Sequence, residues 1–455
     1  MKKSYSIFLF VCFLPLCLFD CFFNTIYAED CNNTKYEVLV KDNESIKIVT
    51  ENFQSQGINI IDEVPEINLI LISTDKNPET LKLENNSYID GMVKENETTV
   101  KPEISYWFGE RQYTNDESDF WLNQWDMQKS TQTGEKFTHK SSGNSVVGVI
   151  DSGIDYSNSE ISSSIISAQN FTTDSEGNVD SGNIADKIGH GTSVVGQISS
   201  NGKYLGIAPN MRVRMYRVFD EENAQDLWIL RAIIQAANDD VDVLNLSLGE
   251  YLINASNCKD YDSVLIEAYQ RAINYAHNQG TAIVASVGDE GLDLTNQEQL
   301  KSYIGSLNGD NYKENDGQVK DIPAELDNVV TVGSIGDSDR VSSFSNKGNG
   351  IIDIYATGGG SERLLLTGYE EWLDKKLYEK DFVLVPTLEG KYTYEYGTSL
   401  SAPKVSATLG LIIEKYHLKD KPDEAIKILY NTCSRLCNDA TGAQFRVLDI
   451  TNLVR

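Results

Sequence analysis

The chain predicts an α/β fold, a mainly parallel sheet flanked by helices, preceded by a small ferredoxin-like α+β domain. Three observations carry this. From Val146 to Tyr430, short apolar runs alternate with amphipathic segments of helical period, the pattern of strands covered by crossover helices. A carboxylate, Asp151, stands where the first of those runs ends, and sites of open α/β sheets collect at the carboxyl ends of strands. Ahead of this, residues 36–93 read as β-α-β-β-α-β, the ferredoxin-like order.

Taken in order, Lys2 and Lys3 precede an apolar run from Ile7 to Phe19, and Ala28 offers a small residue for cleavage. Residues 1–28 are therefore expected to be a secretory signal peptide. Pro15 and Asp20 keep the run short of the ~20 residues of a membrane span. Cys17 and Cys21 raise a lipoprotein signal, but the residues before them, Leu16 and Asp20, are not small. Residues 29–110 form the small domain: a strand at Tyr36–Val40, then a helix capped by Asn43 with Ile46, Val49 and Phe53 on one face, stopped by Gly57. Strands at Ile58–Ile61 and Ile67–Ser73 follow, then a short helix from Asn77-Pro78 and a last strand at Tyr88–Val93. Lys94 to Asp119 is polar and acidic, an exposed linker, with residues 111–119 expected to be the processing segment.

The large domain is expected over 120–455. Strands are predicted at Val146–Ile150, Met211–Val218, Val241–Leu248, Thr281–Val287, Asn328–Ile335 and Ile351–Tyr355. Helices are predicted at Asp226–Asn238, Ser263–Gln279 and Asp423–Tyr430, with another ending near Tyr416. Asn296–Gln318 reads as a polar surface loop and Gly358-Gly359-Gly360 as a turn.

The chemistry centres on Tyr396-Gly397-Thr398-Ser399-Leu400-Ser401-Ala402-Pro403, between an aromatic run and a helix. The first N–H groups of a helix lack internal partners and carry partial positive charge. A Ser at such a turn can attack a carbonyl while its own backbone N–H holds the oxyanion. Asp151-Ser152-Gly153 ends the first apolar strand, and Gly189-His190-Gly191-Thr192 opens a helix. A second Asp-Ser-Gly, at Asp180, follows polar residues only 29 positions on (180 − 151), too near for the second lobe of an aspartic protease. His139, His277 and His417 lie in no motif.

The order Asp151, His190, Ser399 is the subtilisin order of the triad, and from about Trp125 onward the sequence resembles the subtilase family. That resemblance implies Ser399 as nucleophile, His190 as general base and acid, and Asp151 as the group orienting the imidazole. It implies a propeptide role for residues 29–110, as folding aid and temporary inhibitor; the alternative is an accessory domain that stays attached. It also implies that Ser247-Leu248-Gly249 pairs with extended substrate. One departure stands out. Where subtilases place an oxyanion-binding Asn, this chain has Asp289, and an ionised Asp only accepts hydrogen bonds. The expected outcomes are a protonated Asp289, reliance on the Ser399 backbone N–H, or a weakened enzyme. The resemblance also implies that Glu290 falls at the base of the primary specificity pocket, where a carboxylate would favour a basic residue before the cut; a solvated loop charge is the alternative.

Asp119–Met127, Tyr216-Arg217-Val218-Phe219, Ala236–Asp240 and Ala402–Ser406 resemble the lantibiotic leader peptidases, most closely the epidermin type. This implies a secreted endopeptidase that cuts a thioether-bridged (lanthipeptide) precursor. A general extracellular protease and a peptide-binding fold without activity are the competing readings. Calcium is left open by the family resemblance; no compact calcium loop and no paired metal-type Cys spacing is visible among the 7 Cys. Cys433 and Cys437 could bridge only if the chain there is a loop. The net charge of −29 argues against nucleic acid and suits a cationic peptide or simple solubility. The C-terminus shows no sorting motif, so a released monomer is expected, without a stable membrane anchor.

Overall fold

The computed structural model describes residues 34–454, apart from 77–86, 95–100, 103–107, 112–116, 133–138, 175–177, 221–222, 255–260, 309–316 and 440–441. The expected signal peptide and the second helix of the small domain lie outside the described residues. The small domain comprises β1 (Thr34–Val40), α1 (Ile46–Ser55), β2 (Asn59–Val64), β3 (Leu69–Thr74) and β4 (Ile89–Lys94). Its antiparallel sheet has the order β2-β3-β1-β4, that of a ferredoxin-like sheet. Ser45, not Asn43, is the residue flanking α1, because Glu44 N–H turns back onto Lys41 O at 3.0 Å.

The two faces of this sheet serve different partners. Val38, Val40, Ile70 and Ile72 pack on Val49 and Phe53 of α1. Leu39, Leu69, Leu71 and Val93 join the core of the large domain instead. Period-2 alternation thus gives one strand set two apolar faces, one of them for docking. Arg271 locks the contact, donating to Val40 O (2.7 Å) and to the Asp90 carboxylate (2.7 Å), with Asp42 3.0 Å away. Arg231 pairs with Asp62.

The stretch read as a linker carries structure of its own: β5 (Lys101–Pro102), β6 (Phe108–Arg111) and the start of α2 (Glu117–Asn123). Then come α3 (Trp125–Thr131), β7 (Val146–Asp151), α4 (Ser159–Ser162), β8 (Ile165–Asn170), α5 (His190–Ser199), β9 (Arg212–Arg217), α6 (Asp226–Asn238), β10 (Val243–Leu246), β11 (Leu248–Asn254) and α7 (Tyr261–Asn278). The chain continues through β12 (Ala282–Ser286), α8 (Gln297–Asn308), β13 (Gln318–Ile322), β14 (Val329–Ile335) and β15 (Ile354–Thr357). An insertion of three short helices follows, α9 (Glu362–Thr367), α10 (Tyr369–Asp374) and α11 (Tyr378–Asp381). The last elements are β16 (Val383–Pro386), β17 (Tyr392–Glu395), α12 (Ala402–Tyr416), α13 (Pro422–Thr432), β18 (Ser434–Asn438), β19 (Gln444–Leu448) and α14 (Thr451–Val454).

The main sheet has nine strands in the order β18-β19-β15-β14-β12-β10-β7-β9-β8, all pairs parallel except β18–β19. Its centre is apolar on both faces, as a buried parallel sheet requires. Val147, Val149, Val243 and Val284 face α5 and α12, whereas Leu244, Leu246, Ile283 and Ala285 face α6 and α7.

Three expectations change. The run Val241–Leu248 is not one strand: β10 ends at Leu246 and the chain turns at Ser247 into β11, which leaves the main sheet to pair with β13. Residues 297–308, read as loop, form α8, whose Leu300 and Ile304 are buried. The strand read at Ile351–Tyr355 starts only at Ile354 and runs to Thr357. Cys433 and Cys437 are free thiols, one at the end of α13 and the other on β18. No helix among the described residues is long and apolar enough to cross a membrane.

Candidate active site

Asp151 is the last residue of β7, and its side chain is fully buried. One carboxylate oxygen accepts from Ser152 N–H (2.7 Å) and meets His190 Nδ1 at 2.8 Å. With Nδ1 engaged, Nε2 is the nitrogen left for a proton on a substrate or nucleophile. His190 opens α5, and the start of that helix is fixed by Asp186. The Asp186 carboxylate accepts from the N–H groups of Ile188, Gly189 and Thr192, and from the hydroxyls of Thr192 and Ser152. Gly191 is required by crowding: a Cβ there would lie 2.3 Å from Gly153 O.

Ser399 lies in a tight turn, Thr398–Leu400, between β17 and α12, and is buried. α5 packs directly against this turn. A chain of hydrogen bonds ties the turn to β10: Ser247 Oγ donates to Ser399 O (2.9 Å), Asn245 donates to Ser247 Oγ (2.9 Å), and Ser406 Oγ donates to Asn245 Oδ1 (2.8 Å). Gly397 N–H donates to Gly358 O (2.9 Å), and a Cβ on Gly358 would strike Ser401 Oγ at 2.3 Å. The predicted Gly turn is thus the wall behind the nucleophile. Beneath it, buried Lys404 faces buried Asp126 at 3.0 Å and donates to Thr357 O and Leu400 O.

Asp289 stands beside the same turn, its carboxylate accepting Thr398 N–H at 2.8 Å. The structure therefore pairs Asp151 with His190, packs the helix that His190 opens against the Ser399 turn, and sets Asp289 on that turn. Glu290 is exposed, yet it is not a free loop charge: it accepts from Tyr251 OH (2.6 Å) and Asn346 Nδ2 (2.9 Å). Asn346 also donates to Val287 O (2.7 Å) and accepts from Leu292 N–H (2.8 Å), so the Phe344-Ser345-Asn346 turn braces the whole 287–292 loop. Burial, then Asp321 and Glu290, push the Tyr251 phenol far up, which keeps it a donor. Leu248 and Gly249 pair antiparallel with the chain's own Pro102 and Lys101. Peptide is thus already added to the edge where substrate was expected.

Two buried carboxylates that the sequence did not point to, Asp186 and Glu395, also act on the site. Burial opposes charge on His190, but Asp151, and after it Glu395 and Asp186, outweigh this and raise the imidazole to about 9. Asp186 looked like one polar residue in a polar loop, and Glu395 like the end of an aromatic strand. A carboxylate just ahead of a Gly-flanked helix start was the available signal for Asp186. The remaining His residues stand apart: His277 pairs with Asp423 at 3.1 Å and His417 caps α12. Among the described residues, no three His, Cys, Asp or Glu side chains form a group able to hold a metal ion.

A buried Asp–His pair and a Ser at a helix entry, set on a parallel sheet in that chain order, define a subtilisin-like serine protease. The chain belongs to the subtilase family, whose pattern it matches over residues 142–447. It is 36% identical over 408 residues to the epidermin leader peptide-processing serine protease of Staphylococcus epidermidis, covering 85% of each chain. It is 34% identical over 357 residues to the nisin leader peptide-processing serine protease of Lactococcus lactis, covering 75% of this chain and 50% of that one. The crystal structure of an epidermin leader peptide-processing serine protease from Staphylococcus aureus superimposes with a TM-score of 0.79 at 32% identity, covering 92% of this chain and 97% of that one.

Proposed function

We propose that this serine protease is a secreted endopeptidase that removes the leader from a lanthipeptide precursor. The observation that carries the reading is the match, along nearly the whole chain, to proteases named for leader-peptide processing. Ser399 attacks the scissile carbonyl while His190 takes its proton; the acyl-enzyme forms as His190 returns that proton to the leaving amine. Water, activated by His190, then releases the leader. Asp151 holds the ring with Nε2 toward the nucleophile. Residues upstream of the cut run along Leu248–Gly249, and Glu290 favours a basic residue just before it. The bonds from Tyr251 and Asn346 support that last role, because they hold the Glu290 carboxylate in place.

The small domain acts as propeptide: its docked face and the strand Lys101–Pro102 on the substrate edge support a self-inhibited precursor. Asp289 makes the enzyme slow or pH-sensitive, because a carboxylate stands where a donor is needed. The test is mass spectrometry of a thioether-bridged precursor incubated with the parent and with Ser399→Ala. Leader release at one bond by the parent alone is expected; indiscriminate digestion would leave a general protease. Glu290→Gln should lose preference for a basic residue before the cut.

A further inference from the structure

A cavity of about 200 Å³ opens between Phe344, Tyr396 and the α9–α11 insertion, and its lining is mostly apolar. Phe344, Leu364, Tyr369, Trp372, Phe382 and Tyr396 form it. The Tyr396 ring lies 4.7 Å from Phe344 and 4.8 Å from Phe382. The walls are held by Asp381: it accepts from Trp372 Nε1 (2.8 Å), from Leu364 N–H (3.0 Å) and from Arg363 (3.0 Å). The surrounding helices also leave Leu365, Leu366 and Tyr369 exposed, by 74%, 85% and 53%. Such exposure of neighbouring apolar side chains marks a surface that meets something.

The chain's own path says which side of the cut this cavity serves. Along β5, Lys101 faces Gly249 and Pro102 faces Leu248, so the chain advances toward Ser247, whose hydroxyl touches Ser399 O. Downstream, Phe108 faces Tyr394 and Arg111 faces Tyr392 of β17, so the chain recedes there. Tyr396 lies two residues beyond Tyr394, three before Ser399, and Phe344 O accepts Gly291 N–H (2.6 Å), beside Asp289. Tyr396 therefore puts one wall of the cavity on the segment that joins β17 to the nucleophile turn, on the downstream side.

We infer that this cavity is a specificity subsite for a bulky apolar group within the first few residues after the scissile bond. On the proposed function, on which this rests in part, that group is the first thioether-bridged ring or an apolar side chain of the released peptide. The leader then supplies the upstream strand, and the insertion helices read the modified product.

The test uses processed enzyme and two peptides that share an upstream sequence and differ only in carrying Leu or Ser after the cut, with a thioether-ringed precursor alongside. The readout is the ratio of kcat/KM for the Leu peptide to that for the Ser peptide, which cancels any general loss of activity. A ratio of roughly tenfold is expected for the parent, from burial of one apolar side chain. Leu364→Ser and Tyr369→Ser should each bring it close to one. A parent ratio near one, or an unchanged ratio in both variants, overturns the subsite. A retained ratio with no cleavage of the ringed precursor upholds the subsite and counts against leader processing alone.

Discussion

The pH dependence of catalysis follows from the groups around His190. Held at about 9 by Asp151, Glu395 and Asp186 against the cost of burial, the imidazole is neutral in only about 1% of molecules at pH 7. A general base must be neutral to take the Ser399 proton. The value of kcat/KM should thus rise about tenfold per pH unit through neutrality and level off only above pH 9. Glu395→Gln tests the cause. Glu395 is buried, and Ser193 Oγ reaches it at 3.5 Å, a contact that Gln preserves. Removing one such charge is worth about one pKa unit, ~1.4 kcal/mol. The variant should cut roughly tenfold faster than the parent at pH 7 and converge with it at pH 10. The assay is kcat/KM for a chromogenic peptide from pH 5.5 to 10. An alkaline limb near 6.5 in the parent, or one that Glu395→Gln leaves in place, would show that these carboxylates do not hold the imidazole up.

Other positions give further expectations. Asp289→Asn keeps an acceptor for Thr398 N–H and adds a donor beside the turn, so kcat at neutral pH should rise on the order of 100-fold; an unchanged kcat at every pH would remove Asp289 from the oxyanion site. Lys404→Met leaves buried Asp126 without its partner, and should cost about 3–5 kcal/mol in denaturant unfolding of a Ser399→Ala background; a loss below 1 kcal/mol would contradict that. At the docking face, burial and then Asp226, Asp262 and the small domain's Glu37 raise the Glu250 carboxyl well above the usual range. A raised carboxyl pKa adds stability at low pH that is lost as pH rises through the folded value. The two domains should therefore hold less tightly toward neutrality. Glu37→Gln should flatten that dependence, read as the affinity of the separated small domain for processed enzyme at pH 5 and 8.

The candidate site was legible because each of its residues sits where local sequence announces an element boundary: Asp151 after an apolar run, His190 between two glycines, Ser399 before Ala402-Pro403. The parallel sheet was legible for the same reason, since strands buried on both faces read as unbroken Val/Ile runs. What stayed hidden depends on contacts between distant segments. The break at Ser247 does not stand out inside Val241–Leu248, because apolar and polar residues stay interleaved on both sides of it while β11 turns to meet β13. α8 was masked by its polar exposed face, with Leu300, Tyr303 and Ile304 as its few large apolar residues turned inward. Residues 101–102 and 108–111 look like linker because their pairing is supplied by β11 and β17, remote in sequence. Glu395 and Asp186 gain their influence on His190 from burial, which no local pattern displays.

The claim most open to direct challenge is that Ser399 acts as a nucleophile with Asp289 beside it. Intact mass of the secreted protein, next to a Ser399→Ala copy from the same host, decides it. The parent is expected to lose its small domain, with a new N-terminus between Pro102 and Glu117, while the Ala copy retains it. Equal masses for the two, with the small domain still attached to both, would contradict self-processing by Ser399.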